Sequence, residues 1–142
     1  MGQIVIADFK TIGIEVTVEN LEQAGYLAEL RAGKWNMAGM LFPNTDPDVL
    51  YLFAHSSSID ASWNTARYSN PDVDALIEAG RTTLDLEARA AIYEEIQEIM
   101  LEDMPYVPFY VIENAQLVTN RLQGFKVDLQ AFLDFYDAYI VE

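Results

Sequence analysis

The chain of 142 residues has no cysteine and a single histidine, His55. Without thiols there is no disulfide, no thiolate nucleophile and no Cys-ligated metal, and this absence fits any redox compartment. Basic residues are scarce: 8 Lys and Arg stand against 23 Asp and Glu, a net charge of −15. A polyanion is repelled by such a chain, so nucleic acid is not expected as a partner and an anionic membrane surface is disfavoured. No apolar run approaches the ~20 residues that cross a bilayer. The opening residues, MGQIVIADFKTIGIEV, lack a basic region and a small-residue cleavage site and so do not read as a secretory signal. If the protein is exported, its signal lies on a part of the chain not shown in this sequence.

What is present reads as one globular domain over residues 1–142. Apolar residue types make up 51% and charged ones 22%, which separates the chain from the disordered class. Residues 2–13 form a short amphipathic segment with Ile6, Phe9 and Ile12 on one helical face and Gly13 suited to its end. IEVTV, residues 14–18, alternates with period two and predicts a half-buried strand. Asn20 with Gln23 predicts a capping box for a helix that Gly33 closes. WNMAGMLF, residues 35–42, is apolar on both faces and predicts a buried strand. Strand, helix and strand with short connections form a βαβ unit, hence two parallel neighbours in an α/β fold.

Further along, Asp46 and Pro47 open a short helix over residues 49–54, and HSSSIDASWNTA reads as a polar surface loop in which Trp63 is tucked underneath. Asn70 as cap, Pro71 at the first helical position, and Asp72 and Asp74 in the first turn start a helix whose core face is Val73, Leu76, Ile77 and Gly80. A second helix runs from about residue 85 to 103, capped by Asp85, which is also spaced to pair with Arg89. Its core face is Ala88, Ile92, Ile96 and Ile99. MPYVPFYVI, residues 104–112, predicts an edge strand limited by two prolines, with AQLVT as its partner.

Candidate chemistry is sparse. His55 adjoins Ser56, Ser57 and Ser58, but no nucleophile-elbow motif surrounds them, and neighbours in sequence are not catalytic geometry. A small α/β hydrolase using His55 and a nearby serine is therefore a rival function, and a stand-alone acidic interaction domain is another. Glu94, Glu98 and Glu102, with Glu95 and Asp103, line a helix. One helix face cannot wrap a hard cation with six or more oxygens, so they read as a solvated face. No metal and no cofactor is expected. The remaining signal is positional. Phe42, Pro43, Asn44, Thr45 and Asp46 follow a buried strand of a parallel sheet, and ligands in open α/β sheets gather beyond the carboxyl ends of the strands. These five are the candidate ligand-binding residues: a ring to pack against, and turn backbone groups to hydrogen-bond.

The ordered set GIEVTVENLEQAGYLAELRAGKWNMAGMLF, DPDVLYLF, WNTARYSNPDVDALIEAGRTTLDLEARAAIYEEIQEIMLEDMPYVPFY and LQGF resembles the C-terminal lobe of the peptide/nickel class of extracytoplasmic solute-binding proteins. The resemblance covers residues 12–125. It implies one lobe of a two-lobed, type II periplasmic-binding-protein-like fold, a βαβ unit plus helices and a C-terminal strand pair. It further implies that these 142 residues are a fragment of a longer, secreted or lipid-anchored protein. Its partners would be a peptide or similar small solute, a membrane permease of an ATP-driven (ABC-type) importer, and the N-terminal lobe of the same protein. It implies binding and delivery without catalysis. In that class a strand ending in a Gly-Trp pair leads to a loop whose Asp holds a peptide's amino group. Leu41 and Phe42 stand at the Gly-Trp positions. No counterpart of that Asp precedes the DPD turn of Asp46, Pro47 and Asp48. A buried ammonium without a carboxylate partner carries a large desolvation cost.

Overall fold

Glycines close the first two helices, as their positions in the sequence predict. In the computed structural model, which describes residues 2–42, 44–113, 115–128 and 130–142, helix α1 spans Gly2–Thr11 and α2 spans Gln23–Arg31. After α2, Gly33 adopts φ +66. Its N–H donates to the Leu30 carbonyl at 3.2 Å and that of Lys34 to the Glu29 carbonyl at 3.1 Å. This paired reverse bonding satisfies carbonyls that a helix end leaves orphaned. The start of α2 differs from expectation. Glu22, not Asn20, is the N-cap, and no side chain caps it. The Asn20–Gln23 capping box is not formed. These helices lie in a first compact unit, Met1–Asn36, and a second covers Met37–Glu142.

The strands flanking α2 are the main correction. Residues 14–18 and 35–42 carry no strand pairing, so among the described residues only the helix of the expected βαβ unit is formed. A period-two pattern shows that a segment can lie in a sheet, but the strand exists only where a neighbour accepts its hydrogen bonds.

The second unit is built on helices. A 3-10 turn, Pro47–Val49, leads into α3, Leu50–Ala54, and both α4, Pro71–Thr82, and α5, Leu86–Asp103, form as predicted, except that Ala88 of the expected α5 core face is exposed in the first turn. Asn70 accepts from the Asp72 N–H and Asp85 from the Ala88 N–H, so each helix starts at its expected cap. The core joins Ala54, Val73, Ile77, Tyr93 and Ile96, all buried. Each wholly buried aliphatic side chain here stabilises the unit by about 1.5–3 kcal/mol. Gly80 permits close packing of α4 on α5, since a Cβ there would lie 2.9 Å from the Tyr93 ring.

The expected strands at 104–112 and in AQLVT are not formed among the described residues. Pairing occurs farther on. β1 (Leu122–Gln123) pairs with β4 (Tyr139–Ile140), and β2 (Lys126–Val127) with β3 (Leu133–Asp134), both antiparallel. The inner pair nests inside the outer one, offset by a turn in which Ala138 N–H donates to the Phe135 carbonyl. Gly124, in the LQGF stretch, has φ +73, and a Cβ would sit 2.2 Å from the Asp137 carbonyl oxygen. Only glycine fits that crossing.

Candidate functional site

Four of the five predicted ligand-binding residues are described, namely Phe42, Asn44, Thr45 and Asp46; Pro43 lies outside the described residues. The loop is organised by its own side chains. Asn44 Oδ1 accepts from the Asp46 N–H at 2.9 Å, and Asp46 Oδ1 accepts from the Asp48 N–H at 2.9 Å. Two successive Asx turns thus fix the chain as it enters the 3-10 turn.

Two arginines from the helices hold this loop. Arg89, one turn into α5, donates from Nε to the Gly80 carbonyl at 3.1 Å and from Nη2 to Asp46 Oδ1 at 2.8 Å. The expected pairing of Arg89 with Asp85 is replaced by this longer-range one, because Asp85 is committed to the Ala88 N–H. Hydrogen bonding from Arg89, then from the Asp48 N–H, holds the Asp46 carboxyl below the usual carboxylate range. Arg81, in the last turn of α4, places Nε 3.0 Å from Asp48 Oδ1, an ion pair without hydrogen-bond alignment, and lies over the Tyr51 ring at 4.0 Å. Both acids of the turn are therefore matched by a cation of their own unit.

Phe42 anchors the other end of the loop. Its ring meets Phe53 edge-on at 3.8 Å between centroids and lies 6.1 Å from Trp63, while Phe53 is 6.5 Å from Tyr106. The Tyr106 hydroxyl donates to the Phe53 carbonyl at 2.9 Å, and burial pushes its pKa up. Phe42 nevertheless remains 38% exposed, with Leu41 at 65%, and Asn44 and Thr45 are also exposed. One side of the loop is fixed by its unit and the other is open.

The polar stretch around His55 is a clasp. His55 Nδ1 accepts from the Ser57 N–H at 3.1 Å and lies 2.8 Å from Ser57 Oγ, with Nε2 3.4 Å from Glu78 Oε1. Asp74 accepts from both the backbone N–H and the hydroxyl of Ser56. The backbone N–H groups of Ser57, Ser58 and Ile59, which an oxyanion would need, all donate inside the turn. Buried Asn64 closes the loop by donating to the carbonyls of His55 and Tyr68 and accepting from the Tyr68 N–H. Arg67 makes a two-pronged pair with Asp60 at 2.6 and 2.8 Å. Arg67, Asn70 and Asp74 are thus spent on structure. Asp74 does more than start a helix, since it ties α4 to the turn at Ser56. The acidic row of α5 is exposed, and no group of three metal-ligating side chains occurs among the described residues.

No protein-family model matches the chain. Among curated proteins it is 30% identical over 130 residues to the periplasmic oligopeptide-binding protein OppA of Haemophilus influenzae, covering 91% of this chain and 24% of that protein. It is 29% identical over 126 residues to the oligopeptide-binding protein AppA of Bacillus subtilis, covering 87% and 23%. The chain is a homologue of the periplasmic peptide-binding proteins. It spans about a quarter of the length of the curated relatives it matches. A solved structure of the periplasmic binding protein DppA from Helicobacter pylori, in complex with the peptide STSA, superposes with a TM-score of 0.72 at 26% identity over 98% of this chain and 28% of that one. HbpA2 from Haemophilus parasuis shares the fold with a TM-score of 0.75 at 22% identity, covering 99% and 28%.

In this peptide-binding-protein homologue the sequence pointed to the loop and missed what holds it. Arg81 and Arg89 are 35 and 43 residues from Asp46, and no local spacing links them. The available signal was the scarcity of bases: in a chain with 8 Lys and Arg, two on the faces that follow a DPD turn are candidate partners for it.

Proposed function

We propose that the chain is the C-terminal lobe of an extracytoplasmic solute receptor that captures a peptide or similar small solute and delivers it to the membrane permease of an ABC importer. The observation that carries this reading is the match to OppA over 91% of the chain but 24% of that protein. A piece so placed needs the rest of such a protein to complete a site. The exposed side of the loop at Phe42, Asn44 and Thr45 is the gripping surface, and the N-terminal lobe supplies the opposing contacts. Closure of the two lobes then buries the solute, and the permease reads the shift between open and closed populations. Catalysis has no part in this scheme.

The reading has two measurable consequences. The 142-residue chain alone should bind peptides more weakly than micromolar by calorimetry, since half the contacts are missing. A receptor completed with the remaining polypeptide and purified natively should carry peptide detectable by mass spectrometry. Tight binding by the isolated chain would contradict the two-lobe mechanism, and a completed receptor that retains only non-peptide solutes would contradict the solute class.

A further inference from the structure

The loop at 42–48 contains two carboxylates in a chain of charge −15, and at first sight it should attract a cationic group such as an ammonium. The geometry argues otherwise. Asp46 Oδ1 receives both the Asp48 N–H at 2.9 Å and Arg89 Nη2 at 2.8 Å, and Asp48 Oδ1 lies 3.0 Å from Arg81 Nε. The loop acids and their two arginines sum to zero charge. The Asp46 side chain is 62% exposed, but its charge is already met by Arg89; the other groups the loop offers outward are the half-exposed Phe42 ring, the exposed Leu41, and the neutral amide and hydroxyl of Asn44 and Thr45.

We infer that this loop selects an uncharged, apolar portion of the solute, and that Asp46 serves as the internal counter-ion of Arg89, not as a receptor for a solute's ammonium group. The inference rests on the reading of the loop as the gripping surface. It makes Arg89 a specificity-determining residue that never touches the solute. With Arg89 in place, Asp46 is neutralised and capped. Without it, Asp46 becomes the nearest unpaired carboxylate to the Phe42 wall.

The test uses the full 142-residue chain at 150 mM salt, where the screening length is about 8 Å and the long-range field of the acidic surface is damped. Two tripeptides are titrated to about 10 mM while backbone amide shifts are followed by NMR: acetyl-Leu-Phe-Leu-amide, and Lys-Phe-Lys-amide with a free amino terminus. The expected result is that the amides of Phe42, Asn44 and Thr45 respond to the capped peptide with at least a threefold lower Kd than to the cationic one. Arg89→Gln should reverse that order, with threefold or greater gain for the cationic peptide, and Arg89→Lys should keep the order of the native chain. Unchanged Asn70 and Asp85 cap amides verify that each variant is folded, and if Arg89→Gln fails that check the native-chain ranking decides. A loop that responds but prefers the cationic peptide in the native chain, with the preference removed by Asp46→Asn, overturns the inference and leaves the site reading intact. A loop that responds to neither peptide, while shifts occur elsewhere or nowhere, overturns both.

Discussion

In α4 and α5, Val73, Ile77 and Ile96 are wholly buried, whereas Val111 and Leu117, equally apolar and in the same unit, are 92% and 101% exposed. The two regions do not differ in hydrophobicity. They differ in what each needs to hide its apolar face. A helix satisfies its backbone internally and has only to find one packing surface; α4 and α5 find each other, with α3 beneath. An extended segment must find hydrogen-bond partners along its edges as well as a surface for its side chains. Beyond Tyr106, residues 107–113 and 115–119 form no ladder among the described residues, and Val107, Phe109 and Tyr110 are exposed beside Val111. A run of exposed apolar side chains of this kind marks an interaction site or an aggregation hazard. In the two-lobe reading proposed above, the rest of the receptor covers it.

The largest consequence is in hydrogen exchange. Amides in the middle of α4 and α5 should open only with the unit and be protected roughly a thousandfold or more, while those of 107–112 should exchange at nearly the unprotected rate. Strong protection at Val111 in the monomeric chain would erase the contrast. Next in size is truncation. Ile77→Ala should destabilise by about 2–5 kcal/mol in a urea melt, through lost burial plus a cavity. Leu117→Ala should change stability by less than about 0.5 kcal/mol. Equal effects at both sites would mean that the exposed segment is packed in solution.

This contrast also sets how much could be read in advance. The caps Asn70 and Asp85, the core residues Val73, Ile77 and Ile96, and the terminal Gly33 were legible, because caps and helical faces are written within a few residues of themselves. The expected strands at 14–18, 35–42 and 104–112 are not formed, because alternation at 14–18 and apolar, β-branched runs at 35–42 and 104–112 record a capacity for pairing and not a partner. The pairs that form, at Leu122 and Lys126, involve two residues per strand, too few to show a period. Their register depends on Gly124 crossing the Asp137 carbonyl, a contact 13 residues away. The candidate loop was placed by an argument about strand ends that the observed strands do not supply. Its clamps, Arg81 and Arg89, are long-range contacts and left no local pattern.

Packing between α4 and α5 supplies a smaller test. Gly80→Ala gains about 1 kcal/mol of helix propensity, yet places a methyl group 2.9 Å from the ring of Tyr93, which is 3% exposed and has little room to move. Overpacking of this kind costs about 1–3 kcal/mol, so net destabilisation is expected. Combining it with Tyr93→Leu should be less harmful than the sum of the two single changes, by thermal melts of all four proteins. Simple additivity would show that the two helices are not held at this spacing.

The smallest effect joins α5 to the start of α4. Asp103 accepts from the Tyr68 hydroxyl at 2.5 Å and from Asn70 Nδ2 at 2.9 Å. Those two bonds, Tyr68 first, hold the Asp103 carboxyl below its usual range. On the other side, burial and then the hydrogen bond to Asp103 push the Tyr68 hydroxyl up to about 12. The signs follow from linkage. A depressed carboxyl stabilises the fold above its unfolded value of about 3.9 and loses that contribution as pH falls through the folded value. A raised phenol stabilises below its unfolded value of about 10 and loses that contribution as pH rises toward 12. The coupling between Tyr68→Phe and Asp103→Asn, read as a difference of melting temperatures in a double-mutant cycle, should therefore be flat from about pH 5 to pH 9 and shrink on both sides. Because the carboxyl faces solvent, the plateau should be roughly a few degrees at most. A coupling that persists below about pH 2 would show that packing of the Tyr68 ring, and not its bond to the carboxylate, ties the two helices here.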